Sequence, residues 1–166
     1  MNSMKRIRTV TFGALLCLIL ASSAAWAAPQ AASGPTPQAK DKCPVCGMFV
    51  AKYPDFLAQV QFRDGTRYFF DGPKDMFTYY LNVPRYTPGK KSADITSILV
   101  TGYYDLTMIN GQTAWYVTGS DVTGPMGREL VPFARENQAR EFMRDHRGKN
   151  VIRFKDVTPS LIKQLE

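Results

Sequence analysis

The chain has 166 residues, of which 45% are hydrophobic and 12% aromatic, enough apolar bulk for one ordinary domain with a packed core. Its formal net charge is +7, from 21 basic and 14 acidic residues, and the basic residues are scattered rather than gathered in a run. A scattered charge is typical of a solvated surface, which argues against nucleic acid as a partner.

The N-terminus has the order of a secretory signal peptide. Three basic residues precede an apolar run from Phe12 to Ala21, and small residues follow up to Ala27. The run is shorter than the roughly 18 residues of a membrane span. We therefore predict a signal peptide over residues 1–27 and a periplasmic or otherwise exported protein. Without the three basic residues, 18 basic residues face 14 acidic ones, and the net charge falls to +4.

A leader and a hairpin come next. Residues 28–40 are small and proline-containing, without hydrophobic periodicity, and predict a flexible leader. Residues 56–70 alternate apolar and polar residues on both sides of Asp64 and Gly65. This dipeptide suits a tight hairpin turn, so the pattern predicts two paired strands.

A helix and a strand complete the first half of the fold. We expect Asp71 to cap a helix that has Pro73 in its first turn and that Pro84 stops. The β-branched run over residues 94–105 then predicts another strand.

The second half repeats this order of elements. The predicted elements are strands over 113–119 and 129–133, a helix over 135–148 and a strand over 150–154. Because strand, strand, helix, strand occurs twice, we predict an α+β fold of two ββαβ units in one compact protein. The first unit is predicted to span residues 41–105 and the second residues 106–166.

The stretch DKCPVCGMFVAKYP, residues 41–54, holds both cysteines of the mature chain and, two residues after the second, Met48. Cys43, Cys46 and one histidine, His146, fall one ligand short of the four that a structural zinc site requires. A structural disulfide between the two cysteines remains open, because export permits it. A thioredoxin-like redox centre needs its cysteine pair at a strand-to-helix turn, and here only the predicted leader precedes Cys43.

Met48, beside the two cysteines, favours a binding site for a soft metal ion. Thiolate and thioether ligands select Cu(I), and Cys46 and Met48, two residues apart, would point the same way in an extended loop. Met126, in a Gly-Pro-Met-Gly turn, and His146, near a helix C-terminus, are further candidate ligands. Each also has an ordinary structural explanation, core packing for the methionine and the helix dipole for the histidine.

Three segments, CPVCGM, FFDGPKDMF and AWYVTGSDVTGPMGRELVPFARENQAREFMRDHRG, together resemble the NosL family of exported copper-binding proteins. The resemblance covers about Cys43 to Phe154 and implies a duplicated ββαβ fold. It also implies one Cu(I) held by Cys46 and Met48, and copper delivery during assembly of the copper clusters of nitrous oxide reductase. Cys43 is an addition to the minimal pattern, expected as a third ligand or a disulfide partner.

These residues also indicate where the protein is located and what it does. NosL proteins are typically lipid-anchored, whereas Cys17 follows Leu15 and Leu16 rather than small residues, so we expect no membrane anchor after signal cleavage. We find no triad or carboxylate pair that indicates catalysis. The expected protein is a Cu(I) metallochaperone, not an enzyme, with periplasmic copper-donating or copper-accepting proteins as partners. The alternative is a thiol–disulfide oxidoreductase or thiol-keeper that uses Cys43 and Cys46.

Overall fold

The computed structural model describes residues 36–166. The predicted signal peptide, with Cys17, and most of the predicted leader lie outside the described residues. Within residues 36–166, no helix combines the length and apolar character needed to cross a bilayer.

Four antiparallel strands form the first sheet. They are β1 (Ala58–Phe62), β2 (Arg67–Phe70), β3 (Ile95–Thr101) and β4 (Met108–Asn110), in the spatial order β2-β1-β3-β4. The predicted hairpin is confirmed: Gly65 has a φ of +85° in its turn, and Asp64 Oδ1 accepts the N–H of Thr66. That φ favours glycine, which is why the Asp-Gly pair located the turn. β4 comes after residue 105, where the sequence placed a boundary, and it pairs with β3.

The helix predicted after β2 forms, but both of its ends differ from the prediction. α1 (Pro73–Leu81) is preceded by Gly72 as its cap residue, and the carboxylate of Asp71 makes no capping hydrogen bond but contacts a thiol. Pro84 does not stop this helix. Instead it lies in the first turn of a second short helix, α2 (Val83–Tyr86), where the missing N–H of proline is tolerated.

The second half contains a three-stranded sheet and a separate two-stranded hairpin. Its elements are β5 (Trp115–Thr118), β6 (Thr123–Gly124), β7 (Gly127–Arg128), β8 (Val131–Phe133), α3 (Glu136–Asp145) and β9 (Asn150–Arg153). β5 pairs with β8 and β9 in the antiparallel order β8-β5-β9, while β6 and β7 pair with each other across Pro125 and Met126. Strand, strand, helix, strand occurs in both halves, with the β6–β7 hairpin inserted in the second. The α+β prediction is therefore confirmed.

A C-terminal helix, α4 (Pro159–Gln164), was not predicted from the sequence. Thr158 caps it, because Thr158 Oγ1 accepts the N–H of Leu161, and Pro159 takes the first helical position. Ile162 and Leu165 are buried in the main core. The helix is short, but its apolar side chains attach it firmly to the rest of the fold.

One large hydrophobic core joins the two halves of the chain. The ring of Phe77 on α1 packs against that of Tyr116 on β5, with 5.1 Å between ring centroids. Cys43 and Val50, the first and last residues of the cysteine loop (residues 43–50), belong to the same core. A smaller core lies under α3 and contains Val117, Val131, Phe133, Ala139 and Phe142. The two ends of the cysteine loop are thus anchored in the packed interior.

Candidate metal centre

The backbone of the cysteine loop closes on itself. Cys43 N donates to the Met48 carbonyl oxygen at 2.9 Å, and Gly47 N donates to the Cys43 carbonyl oxygen, also at 2.9 Å. Gly47 has a φ of +81°, a conformation that residues with a Cβ rarely adopt. The chain therefore turns within six residues, and the thiols of Cys43 and Cys46 come close together.

Two aspartates at the start of α1 face the two thiols. Asp71 precedes the helix and Asp75 lies in its first turn, four residues later. Cys43 Sγ donates to Asp75 Oδ2 at 3.3 Å, and Cys46 Sγ donates to Asp71 Oδ1 at 3.2 Å. One ligand atom from each of the four residues lies within 4.8 Å of the others, and both cysteines are free thiols. We call these four residues the thiol–carboxylate cluster.

The cluster is buried on one side and open on the other. Cys43 is 2% exposed, Asp71 is fully buried and Asp75 is 6% exposed. Cys46 is only partly buried, and it lines a cavity of about 410 Å³ together with Asp75 and Met126. The cavity therefore gives an incoming group access to the cluster from the Cys46 side.

One oxygen atom of the cluster lacks a partner. Asp71 Oδ2 is buried and has no hydrogen-bond partner among the described residues. A buried polar atom without a partner costs about 1–3 kcal/mol. A bound cation beside the two thiols would satisfy this atom, so the donor set fits a metal site.

Burial controls the protonation of the cluster. It raises the pKa of the Cys43 thiol far above its ordinary value and, with the hydrogen bonds to Asp75 and Asp71, raises the pKa of Cys46 to about 12. Backbone N–H groups of the loop act in the opposite direction, but they do not outweigh burial. Burial also raises the pKa of Asp75. At neutral pH the metal-free thiols therefore keep their protons, and a metal must displace them to bind.

A buried carboxylate lies next to the cluster. Glu129 Oε1 accepts the N–H of Lys74 at 2.6 Å and that of Leu130 at 2.8 Å. Lys74 Nζ, in turn, donates to the Met126 carbonyl oxygen at 2.6 Å. Burial raises the pKa of Glu129 to about 8, although the N–H groups of Leu130 and Lys74 oppose the shift. These contacts join the β6–β7 hairpin to the first turn of α1.

The structure brings several of the predicted site residues into one region. Cys43 and Cys46 belong to the thiol–carboxylate cluster, and Met48 is half-buried two residues beyond Cys46. Met126 is 44% exposed in the β6–β7 turn and lines the same cavity as Cys46.

His146 lies in a different environment. It follows the last residue of α3, and its ring stacks on Phe142 with 4.3 Å between centroids. Its Nδ1 is 3.0 Å from Asp121 Oδ1. In residues 36–166, the group of close candidate ligands includes both cysteines and two aspartates but not this histidine.

Sequence reasoning missed three acidic residues of this region. The sequence predicts a capping role for Asp71 and no role for Asp75. Both meet the thiols only because the cysteine loop packs against the start of α1. Glu129 is 55 residues from Lys74 in sequence, and no local pattern predicts their contact.

The fold and the cluster define a class of protein, a small α+β protein with two free thiols and two carboxylates as candidate metal ligands beside a helix start. The chain belongs to the NosL family, whose family model matches residues 35–162. The resemblance inferred from the sequence is therefore confirmed.

Three known proteins are similar to the chain. It is 26% identical over 125 residues to the copper-binding lipoprotein NosL of Stutzerimonas stutzeri, a match that covers 75% of this chain and 65% of that relative's length. The crystal structure of the copper chaperone NosL from Shewanella denitrificans has the same fold, with a TM-score of 0.64 at 23% identity, and covers 80% of this chain and 99% of that one. The solution structure of apo-NosL from Achromobacter cycloclastes matches 63% of this chain and 87% of its own, at 26% identity and a TM-score of 0.44.

Proposed function

We propose that this protein is an exported metallochaperone that binds one Cu(I) ion and passes it to a periplasmic copper protein. The observation that carries the proposal is the pair of free thiols, Cys43 and Cys46, in a cluster that opens onto a cavity. Thiolates are soft ligands and select Cu(I) over harder cations. The names of two relatives, a copper-binding lipoprotein and a copper chaperone, support the same cargo, and the first also supports export.

We assign the copper ligands to Cys46, Met48 and Cys43, with Met126 as a fourth candidate. The two thiols are already neighbours, Met48 follows Cys46 in the same closed loop, and Met126 lines the cavity beside Cys46. His146 is left out of this set because its ring packs at the far end of α3.

Copper transfer follows from the unequal exposure of the two thiols. Cys43 is 2% exposed and anchored in the core, whereas Cys46 lines the cavity. A thiolate or thioether of a partner entering the cavity would add to the ion on the Cys46 side before Cys46 leaves. Such ligand exchange needs no catalytic base, so we propose a carrier and not an enzyme.

We propose nitrous oxide reductase, or another periplasmic copper enzyme, as the recipient. Membership of the NosL family supports this choice of partner. The chain has no run of basic residues that would indicate nucleic acid.

A thiol–disulfide oxidoreductase is the weaker alternative. Reactive redox cysteines have a lowered pKa, usually at a helix N-terminus or beside a cation. Here burial raises the pKa of Cys43 and Cys46, and their side-chain neighbours are carboxylates. The site therefore stabilises thiols in the absence of metal, which is the opposite of what a fast redox couple requires.

The test is a Cu(I) titration of the reduced protein under anaerobic conditions, in competition with a chromophoric chelator. We expect one equivalent to bind tightly, and we expect Cys46→Ser and Met48→Leu each to weaken it. Met143→Leu is the matched control, because Met143 packs against the smaller core under α3.

Two outcomes would contradict the proposal. If the reduced wild-type protein does not compete with the chelator for Cu(I), copper is not its cargo. If Cys46→Ser keeps the full affinity for Cu(I), the assigned site is wrong. A disulfide-reduction assay on the Met48→Leu variant separates the alternative, because a dithiol enzyme would keep its activity while the copper site weakens.

A further inference from the structure

We propose that Glu129 is a positioning residue for the copper site, which holds the Gly-Pro-Met-Gly hairpin and its Met126 against the N-terminus of α1. This inference rests on the proposed function, since it concerns how one candidate copper ligand is kept in place. Glu129 is not one of the four residues of the thiol–carboxylate cluster. It acts through Lys74 and through the hairpin.

The carboxylate of Glu129 caps α1 from a distant part of the chain. Lys74 is the second residue of α1, so its N–H has no carbonyl partner within the helix. Glu129 Oε1 accepts this N–H at 2.6 Å and also accepts the N–H of Leu130 at 2.8 Å. Glu129 is 3% exposed, and both bonds are protected from water. One buried oxygen atom thus joins the chain just after β7 to the start of the helix.

Two glycines make room for this carboxylate. A Cβ atom at Gly72 would lie 2.2 Å from Glu129 Oε2, and one at Gly124 would lie 2.9 Å from the same oxygen. The carboxylate cannot move away without losing its two backbone donors. The absence of side chains at Gly72 and Gly124 is therefore a requirement of the contact between the hairpin and the helix.

Lys74 makes the second connection. The residue is 7% exposed, and its Nζ donates to the Met126 carbonyl oxygen at 2.6 Å. The same residue is therefore bonded to the hairpin segment twice, through its backbone to Glu129 and through its ammonium group to Met126. Asp75, the next residue, accepts the hydrogen bond of the Cys43 thiol. Met126 and the thiol–carboxylate cluster are consequently fixed to one turn of one helix.

The test is a double-mutant cycle of Cu(I) affinity with Met126→Leu and Glu129→Ala. If Glu129 acts by holding Met126 in place, each single variant weakens copper binding, and the double variant binds no more weakly than the weaker single variant. The loss of one hydrogen-bonded tether corresponds to a decrease of up to about tenfold in affinity. Additive effects would overturn the proposal, because non-additivity is the sign of coupling.

Conservative variants separate positioning from general stability. Glu129→Gln keeps an oxygen that can accept both N–H bonds, so we expect near wild-type affinity. Glu141→Ala, which removes an exposed carboxylate on α3, is the control. If Glu129→Ala fails to fold, Lys74→Met replaces it in the cycle, because this change removes the bond to the Met126 carbonyl and keeps an apolar side chain of similar length.

Amide hydrogen exchange of the metal-free protein tests the inference separately from the proposed function. We expect faster amide hydrogen exchange at Gly124 and Gly127 in Glu129→Ala and in Lys74→Met, but not in Glu129→Gln. Unchanged exchange would overturn the inference. If wild-type protein binds copper and Met126→Leu binds it equally well, the positioning role is overturned while the proposed function stands. If wild-type protein binds no copper, the proposed function itself fails.

Discussion

The two cysteines of one loop occupy different environments. Cys43 packs in the main core and donates to Asp75, whereas Cys46 donates to Asp71 and borders the cavity. Buried thiols are protected from reagents, and a raised pKa further reduces the thiolate fraction. The loop therefore has one anchoring thiol and one accessible thiol.

Alkylation of the reduced, metal-free protein should reveal this difference. We expect iodoacetamide to modify Cys46 before Cys43, because Cys46 is the more exposed, and both more slowly than free cysteine at pH 7. Peptide mass spectrometry gives the order of modification. Bound Cu(I) should protect both residues, and equal labelling of the two thiols in native protein would contradict the assignment.

Glu129 should make the stability of the protein depend on pH. Its pKa is about 8 in the folded protein, against an ordinary value of 4.5, so the folded state binds its proton more tightly than the unfolded state. The resulting stabilisation is fully present below about pH 4.5 and is lost as the pH rises to about 8. The change is at most a few kcal/mol, since one pKa unit corresponds to about 1.4 kcal/mol.

Urea unfolding between pH 5 and 8 measures this dependence. We expect the free energy of unfolding of wild-type protein to fall over this range and that of Glu129→Gln to fall less. An identical slope in the two proteins would show that Glu129 does not change its protonation on unfolding.

At the scale of elements, α4 forms part of the wall beside the site. Ile162 lines the cavity next to Cys46, and Thr158 Oγ1 caps the helix through the N–H of Leu161. A helix of six residues has little stability of its own, so its cap and its buried side chains decide whether it forms. The integrity of the cavity therefore depends on a short element.

Removal of this cap should loosen α4. We expect Thr158→Ala to lower the free energy of unfolding by about 1 kcal/mol, because the N–H of Leu161 loses its acceptor. Thr158→Ser keeps a hydroxyl group and should behave like wild type. Urea denaturation gives the magnitude, and hydrogen exchange in residues 159–165 tests whether the loss is local; an unchanged exchange pattern would contradict a capping role.

The sequence predicts the elements better than it predicts the site. The hairpin at Asp64 and Gly65 and the strands and helix of the second half follow from local periodicity and turn residues, which operate over a few positions. An aspartate before a helix usually caps it, which is why the sequence predicts a cap at Asp71. In the structure Glu129, 55 residues after Lys74, accepts the N–H of Lys74 in the first turn instead. Which carboxylate caps the helix, and which meets a thiol, depends on contacts between distant segments.

At the scale of the whole molecule, the two ββαβ units share one core. Phe77 on α1 and Tyr116 on β5 are both fully buried and in contact, and Tyr116 OH donates to the Gly111 carbonyl oxygen at 2.7 Å. Neither unit can expose its inner face without opening the other. The duplicated order of elements therefore does not correspond to two independent domains.

Unfolding should accordingly occur in one cooperative transition. In protein lacking residues 1–27, Trp115 is the single tryptophan and reports on the second unit, while the reactivity of Cys43 reports on the first. We expect the two probes to give the same urea midpoint. Tyr116→Phe should lower that midpoint for both probes, because it leaves the buried Gly111 carbonyl without its donor, at a cost of about 1–3 kcal/mol. Separate midpoints would contradict the shared core.

Because Cys43 belongs to the main core, a metal bound to its thiol would affect how long the folded protein survives. A ligand that binds only the folded protein shifts the folding equilibrium toward that state, and here the bound atom would belong to the interior itself. Proteases act mainly on chains that have opened, so the metal-free form should be degraded faster than the loaded form. Under the proposed function, the age distribution of the molecules would then reflect the local copper supply, with empty carriers removed first.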